Sequence, residues 1–120
     1  MTAVLQSTTV KCMGRVNVDG VAGVEADFSS ITYKTFLHDG SATADTETDT
    51  GTLTVADVIH DVLKTDLDWT EDSTGYNFSF AAPAAGFASE GLHEVVVTFN
   101  ETGGATGKHQ WLVRVVHSPE

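Results

Sequence analysis

The last third of the chain alternates apolar and polar residues with a period of two. Three such runs lie between residues 75 and 117. This pattern is typical of strands that place one face on a core and the other in water. Gly103, Gly104 and Gly107 stand between the last two runs, which predicts a β-hairpin there. The residues that share one face are Tyr76, Phe78 and Phe80 in the first run, His93, Val95, Val97 and Phe99 in the second, and Trp111, Val113 and Val115 in the third.

The first half of the chain predicts further strands and one helix. Residues 8–18 contain many β-branched side chains, and residues 30–37 alternate with a period of two. Between Val55 and Lys64 the apolar residues recur at helical spacing, which favours one short helix. A strand is the alternative for this segment, because its apolar residues also alternate in part.

These elements predict one all-β domain. A chain of 120 residues can bury its own core without disulfides or metals. The expected architecture is a single antiparallel β-sandwich of about seven strands with one short helix. Residues 1–8 are expected to form an N-terminal arm or an edge strand. The predicted core consists of Ile31, Tyr33, Val58, Val62, Tyr76, Phe78, Val95, Val97, Trp111, Val113 and Val115.

The composition is strongly acidic. The chain has 17 acidic and 6 basic side chains, for a formal net charge of −11. Such a charge repels phosphate backbones, so nucleic acid is not an expected partner. No apolar run approaches the ~20 residues of a membrane span, and residues 1–12 lack the basic and apolar parts of a secretory signal. We therefore expect a protein that is made in the cytoplasm and has no membrane partner.

The residue types that commonly carry catalysis or bind metals are scattered along the chain. Cys12 is the only cysteine, and on a strand it is expected to be a small buried apolar residue. No serine occupies a Gly-x-Ser-x-Gly motif, and no two histidines stand four residues apart. The sequence therefore predicts no enzymatic activity, no catalytic residues and no cofactor. The histidines are His38, His60, His93, His109 and His117.

Two segments resemble ligand-binding loops. Asp45, Glu47 and Asp49 alternate with threonines, and alternate acidic oxygens can coordinate calcium. The nearest glycine, Gly51, comes one position too late for a calcium loop, so a solvated acidic loop is the preferred interpretation. An edge hairpin is the alternative for residues 41–52. Residues 103–108 have the glycine content of a phosphate-binding loop, but they lead into a predicted strand instead of a helix. A hairpin loop is the prediction for this segment.

Aromatic side chains provide one further candidate site. Tyr76 and Trp111 fall on inward strand positions, where aromatic residues usually belong to the core. Trp69 stands in an acidic loop, and an exposed indole can stack on a sugar ring. Trp69 is therefore a candidate carbohydrate-binding residue.

Residues 89–99 resemble the F strand of immunoglobulin-like domains. Ser89, Gly91, His93 and Val95 stand where the pattern D-x-G-x-Y-x-C is usual. His93 replaces the corner tyrosine and Val95 replaces the disulfide cysteine, as in microbial sandwiches that have no disulfide. The resemblance implies that residues 9–120 form an immunoglobulin-like β-sandwich.

Several other segments carry a second resemblance. They are residues 29–33, 53–55, 58–61, 75–78, Trp69 and the final hairpin. These segments are similar to small immunoglobulin-like accessory proteins of tailed bacteriophages and prophages. The resemblance implies a non-enzymatic structural protein of the virion that decorates or cements the capsid. The alternative is a tail or baseplate accessory protein, or a β-sandwich module that binds a receptor or a carbohydrate.

The second resemblance also implies partners and a location. The expected partners are other capsid or tail proteins and further copies of the chain, in a homo-oligomer such as a trimer. The expected location is the virion, after synthesis in the cytoplasm of a bacterial host. Residues 1–8 and the sheet edges are the expected contact region, because unpaired edges accept partner strands.

Overall fold

The chain forms two sheets of strands and one small hairpin. The structure, a computed structural model, describes residues 2–38, 46–66, 69 and 71–116. One sheet has three strands and the other has five. The strands are β1 (Thr2–Leu5), β2 (Val10–Gly14), β3 (Asn17–Val18), β4 (Val21–Ala22), β5 (Phe28–His38), β6 (Thr46–Leu53), β7 (Ile59–Lys64), β8 (Tyr76–Ala82), β9 (Gly91–Glu101) and β10 (Thr106–Val116).

The order of the strands is that of an immunoglobulin-like sandwich. The five-stranded sheet has the order β1-β10-β9-β5-β6, and the three-stranded sheet has the order β2-β8-β7. Neighbouring strands are antiparallel, except that β1 runs parallel to β10. In this topology β9 occupies the position of the F strand, between the strands that correspond to C and G. The predicted fold class is therefore confirmed, with eight strands in the two sheets of the described residues.

The core fills the space between the two sheets. From the five-stranded sheet, Val95 and Val97 point inward and are fully buried. From the three-stranded sheet, Phe78 packs edge-on against Phe99, with ring centroids 5.1 Å apart. Cys12 is buried in the same cluster, as predicted, and burial raises the pKa of its thiol to about 12. Nine of the predicted core residues are confirmed as buried: Ile31, Tyr33, Val58, Tyr76, Phe78, Val95, Val97, Val113 and Val115.

Two predicted core residues lie elsewhere. Trp111 is only partly buried and packs against the margin of the core. Val62 is 74 % exposed, so its assignment to the core was wrong. That assignment assumed a helix, in which Val58 and Val62 would share one buried face.

The predicted helix is shorter than its hydrophobic pattern suggests. Helix α1 spans only Val55–Val58, and the chain continues from Ile59 as strand β7. Pairing with β8 brings Ile59 opposite Phe78 and Lys64 opposite Tyr76. The helix was thus predicted in the right place, but its extension to Lys64 was wrong, because a partner strand was within reach.

The final hairpin is confirmed. Strands β9 and β10 are antiparallel, with Thr106 opposite Asn100 and Val115 opposite Gly91. Two further hydrogen bonds close the turn between them, one from Glu101 N–H to the Ala105 carbonyl and one from Gly104 N–H to the Glu101 carbonyl. Residues 102–105 are therefore a turn between strands, as predicted, whereas Gly107 and Lys108 of the predicted loop already lie on β10.

Candidate functional site

The outward face of the five-stranded sheet carries apolar side chains where polar ones are usual. We call this surface the outer sheet face. On β10, Val113 and Val115 point into the core, whereas Leu112 and Val116 point away from it and are 43 % and 37 % exposed. Leu5, opposite Val116 in the register, is 47 % exposed. Exposed apolar side chains that lie side by side mark interaction sites more often than isolated ones do.

The strand register gathers further outward side chains into the same surface. On a sheet, directly opposed residues on neighbouring strands have adjacent side chains. The half-buried Phe36, Leu92 and Val96 occupy outward positions on β5 and β9. The rows across β5, β9 and β10 are Phe36–Glu94–Leu112, Lys34–Val96–Gln110 and His38–Leu92–Arg114.

Basic side chains are concentrated on the outer sheet face. Lys34, Lys108 and Arg114 all project from it, although the whole chain has only 6 basic residues. The Lys34 ammonium lies 3.5 Å from the Glu47 carboxylate. Lys34 and Lys108 line a shallow depression of about 380 Å³ whose floor includes Val96. This face therefore combines apolar contact area with three basic side chains, beside the acidic side chains of Glu47 and Glu94.

A second surface feature is a groove beside the exposed edge of β10. Strand β1 pairs only with residues 113–116 of β10, so residues 106–112 have a neighbouring strand on one side only in the described part of the sheet. The groove has a volume of about 460 Å³. Its lining includes Trp69, Trp111, His109, Glu71, Gln110 and Asn17, and we call it the Trp69 groove.

The indole of Trp69 is held by its neighbours. Its Nε1–H donates to the Asp72 backbone carbonyl at 3.0 Å and to Asp72 Oδ1 at 3.3 Å. Its ring packs against Tyr76, with centroids 5.6 Å apart. Trp69 is half-buried, so the prediction of an exposed loop residue was only partly right. A fixed indole at a groove offers a stacking surface without a large loss of side-chain entropy.

Asp72 organises this part of the groove. Its carboxylate accepts hydrogen bonds from the N–H groups of Thr74 and Gly75, at 3.0 and 2.9 Å. It also pairs with the Arg15 guanidinium at 3.0 Å. The bond from Gly75 N–H, followed by those from Arg15 and Trp69, holds the pKa of Asp72 below its ordinary value. The charges of Arg15 and Asp72 thus largely neutralise each other. The negative charge of Glu71, which also lines the groove, is not neutralised in this way.

The predicted acidic loop is partly a strand. Glu47 and Asp49 lie on β6, at the edge of the five-stranded sheet, and Asp45 lies outside the described residues. Asp49 accepts a hydrogen bond from the Tyr33 hydroxyl at 3.0 Å. Glu47 and Asp49 therefore lie on an edge strand instead of the preferred solvated loop, in agreement with the alternative of an edge hairpin, because the intervening threonines favour pairing with β5. Within the described ranges, no three His, Cys, Asp or Glu side chains are grouped so that they could hold a metal ion.

Three of the described histidines, His60, His93 and His109, lie in separate environments. His93 is fully buried, and its ring packs against Phe87. His60 shares a hydrogen bond of 2.8 Å with the Ser79 hydroxyl, and His109 packs edge-on against Trp111. The structure brings no two of these three together. Burial lowers the pKa of each, and for His93 the nearby His38 adds to the effect while the Gly91 carbonyl opposes it.

These histidines predict a loss of stability in mild acid. Above the unfolded-state pKa of about 6.5 the imidazoles are neutral in both states and pH has no effect through them. Below it the unfolded chain binds protons that the folded chain cannot, so stability falls as pH falls towards the folded-state values. We expect the melting temperature, measured by circular dichroism, to decrease from about pH 7 to pH 5 and to do so less steeply for His93→Gln. An equal slope for both proteins would contradict this assignment.

The sequence pattern missed the outer sheet face. The alternation predicts the core, whereas the outer sheet face depends on the apolar residues at the water-facing positions of the same strands. The signal was present, because Leu112 and Val116 stand out of phase with the buried valines of β10. The sequence indicates the Trp69 groove only through Trp69. Glu71 and Asp72 lie in the same loop, but the other lining residues come from β2, Arg15, β3 and β10.

Comparison with known proteins adds little to this description. No family model and no curated protein matches the sequence. A solved structure of murine CRIg matches with a TM-score of 0.44 and 6% sequence identity, over 98% of this chain and 92% of that chain. None of the helices in the described residues has the length and apolar character needed to cross a membrane.

Proposed function

We propose that the protein is a non-enzymatic structural protein of a tailed-phage virion, which decorates the capsid by docking through the outer sheet face. The observation that carries the docking role is the group of apolar side chains at water-facing positions of β5, β9 and β10, namely Phe36, Leu92, Val96 and Leu112. The virion context rests on the resemblance of the sequence to phage accessory proteins.

The outer sheet face has the size of a stable protein interface. Strands β9 and β10 each have 11 residues. At ~3.4 Å per residue and ~4.8 Å between strands, the face across four strands measures roughly 700 Å². A standard interface buries about 800 Å² on each partner. One docked partner could therefore cover the exposed apolar side chains in a single contact.

The charge distribution favours one orientation of docking. Lys34, Lys108 and Arg114 lie among the apolar side chains together with Glu94, and Glu47 pairs with Lys34, whereas most of the 17 acidic side chains lie on other parts of the chain. A partner with acidic groups around an apolar centre would complement this face. The acidic side chains outside the outer sheet face would keep the free protein soluble and disfavour contacts through the other surfaces.

Self-association belongs to the same proposal. Strands β1 and β6 are the outer strands of the five-stranded sheet, and each has one unpaired edge in the described residues. Unpaired edges accept strands from neighbouring molecules. A homo-oligomer such as a trimer, formed through these edges, would leave the outer sheet face available for the capsid.

Leu112→Glu is the variant that tests the docking face. A charge buried at the centre of an interface, without a partner, is expected to weaken binding by about 30-fold or more. The measurement is co-sedimentation of the purified protein with capsids assembled from the major capsid protein of the same genome. We expect the unmodified protein to sediment with capsids at saturation, and Leu112→Glu to remain in the supernatant.

Val62→Glu provides the matched control. Val62 is 74 % exposed on the three-stranded sheet, so the same change leaves the outer sheet face intact. We expect this variant to sediment like the unmodified protein. A protein that stays in the supernatant with capsids, and that mass spectrometry does not find in purified virions, would rule out the virion proposal. Labelling of virions at the tail instead of the capsid would favour a tail or baseplate accessory protein.

A further inference from the structure

The Trp69 groove combines aromatic rings with planar polar groups at one opening. Trp69, Trp111 and His109 supply the rings. Glu71 and Asn17 are exposed and supply a carboxylate and an amide. Small-molecule sites typically have this composition, with apolar and aromatic walls and a few polar groups that fix the orientation of the ligand.

The aromatic wall of the groove is preorganised. Trp111 Nε1–H donates to the Met13 carbonyl at 3.2 Å, and its ring stacks on Phe78 with centroids 5.7 Å apart. Trp69 is fixed by Asp72 and Tyr76, as described above. A binding surface that is rigid before the ligand arrives loses less entropy on binding.

We infer that the Trp69 groove binds an uncharged pyranose unit of a saccharide. A pyranose ring has an apolar face of C–H groups, which stacks on an indole, and a rim of hydroxyls, which donate and accept hydrogen bonds. Trp69 provides the indole, and Glu71 and Asn17 provide acceptors and donors for the rim. The volume of about 460 Å³ is sufficient for one or two sugar rings.

Charge selects a neutral sugar over an acidic one. Arg15, which could attract an anion, is already paired with Asp72 at 3.0 Å. The charge of Glu71 is left without a basic partner in the described residues, on a chain with a net charge of −11. An acidic sugar would therefore be repelled. Saccharide binding goes beyond the proposed docking function, since the groove and the outer sheet face are different surfaces.

The test is a titration of isotope-labelled protein, followed by nuclear magnetic resonance. The probes are cellobiose and lactose, with glucuronic acid as the acidic comparison, each up to about 50 mM, a range that detects millimolar affinities. We expect the two neutral disaccharides to shift the backbone amides around Trp69, Glu71 and Gln110, and glucuronic acid to leave them unchanged. If neither neutral disaccharide shifts these amides, the inference is wrong.

Two variants and one control assign the binding to the groove. Trp69→Ala is expected to weaken binding about tenfold or more through loss of stacking, and Glu71→Ala is expected to weaken it by a smaller factor. Trp69 and Glu71 both lie outside the core cluster, so these variants should remain folded. Val62→Ala, on the three-stranded sheet, should bind like the unmodified protein. Equal affinity of Trp69→Ala and the unmodified protein would overturn the inference.

Discussion

Replacing Phe78 by alanine is expected to destabilise the fold by about 3–5 kcal/mol. Phe78 is fully buried on β8, at the centre of the sandwich. Its ring packs against Phe99 and Trp111 of the opposite sheet, with centroids 5.1 and 5.7 Å away. Its removal therefore leaves a cavity between the sheets that neither sheet can fill by itself. The measurement is equilibrium unfolding in urea, monitored by circular dichroism.

Val62→Ala is the control for this prediction. Because Val62 is 74 % exposed, its truncation is expected to change the free energy of unfolding by about 0.5 kcal/mol or less. Since single domains are stable by only about 5–15 kcal/mol, Phe78→Ala should remove a large part of the total. A cost for Phe78→Ala as small as that of the control would mean that the two sheets do not meet at Phe78.

The strands that could be predicted are those whose burial follows the local pattern. On β9 the inward residues Val95 and Val97 alternate with half-buried ones over the whole strand, so a period of two determines both the element and its buried face. The same reasoning located the hairpin between β9 and β10. In these segments the local pattern and the tertiary structure agree.

The segment from Val55 to Lys64 shows where the pattern is insufficient. Its apolar residues fit a helix and, in part, a strand, and local propensity does not separate the two. The strand is favoured over the helix from Ile59 onward because Ile59 pairs with β8, opposite Phe78. The pairing depends on a residue 19 positions away in sequence, and this information is not contained in the segment itself.

The Trp69 groove was only partly predictable for the same reason. Trp69 could be singled out as an indole in an acidic loop. Its groove partner Gln110 lies on the last strand, and Arg15 follows β2. Only the folded topology brings these three segments together. The outer sheet face, by contrast, was readable from the phase of Leu112 and Val116 relative to the buried valines.

Asn77 is the buried polar residue on which the small β3–β4 hairpin depends. Its side chain is only 1% exposed. Its Oδ1 accepts a hydrogen bond from Val16 N–H at 2.7 Å, and its Nδ2 donates to the carbonyls of Val16 and Gly23, both at 2.8 Å. One side chain thus satisfies three backbone groups that flank the hairpin. A buried backbone group left without a partner costs about 1–3 kcal/mol.

Asn77→Ala is therefore expected to lower the free energy of unfolding by about 2 kcal/mol or more, because Val16 N–H and the Gly23 carbonyl lose this partner together, while the Val16 carbonyl still accepts from Gly23 N–H at 2.8 Å. Asn100→Ala is the matched control, since both asparagines begin an Asn-x-Ser/Thr triplet. Asn100 is half-buried, and its side chain bonds the hydroxyls of Ser30 and Thr106, at 3.0 and 3.1 Å. These hydroxyls can form hydrogen bonds with water when Asn100 is replaced. Its loss should cost about 1 kcal/mol or less.

Urea unfolding of both variants gives the comparison, and hydrogen exchange at the amides of Val16 and Gly23 shows whether the hairpin is released. Similar costs for the two variants, with unchanged exchange at Val16, would mean that water replaces the Asn77 amide and that the hairpin is held by other contacts.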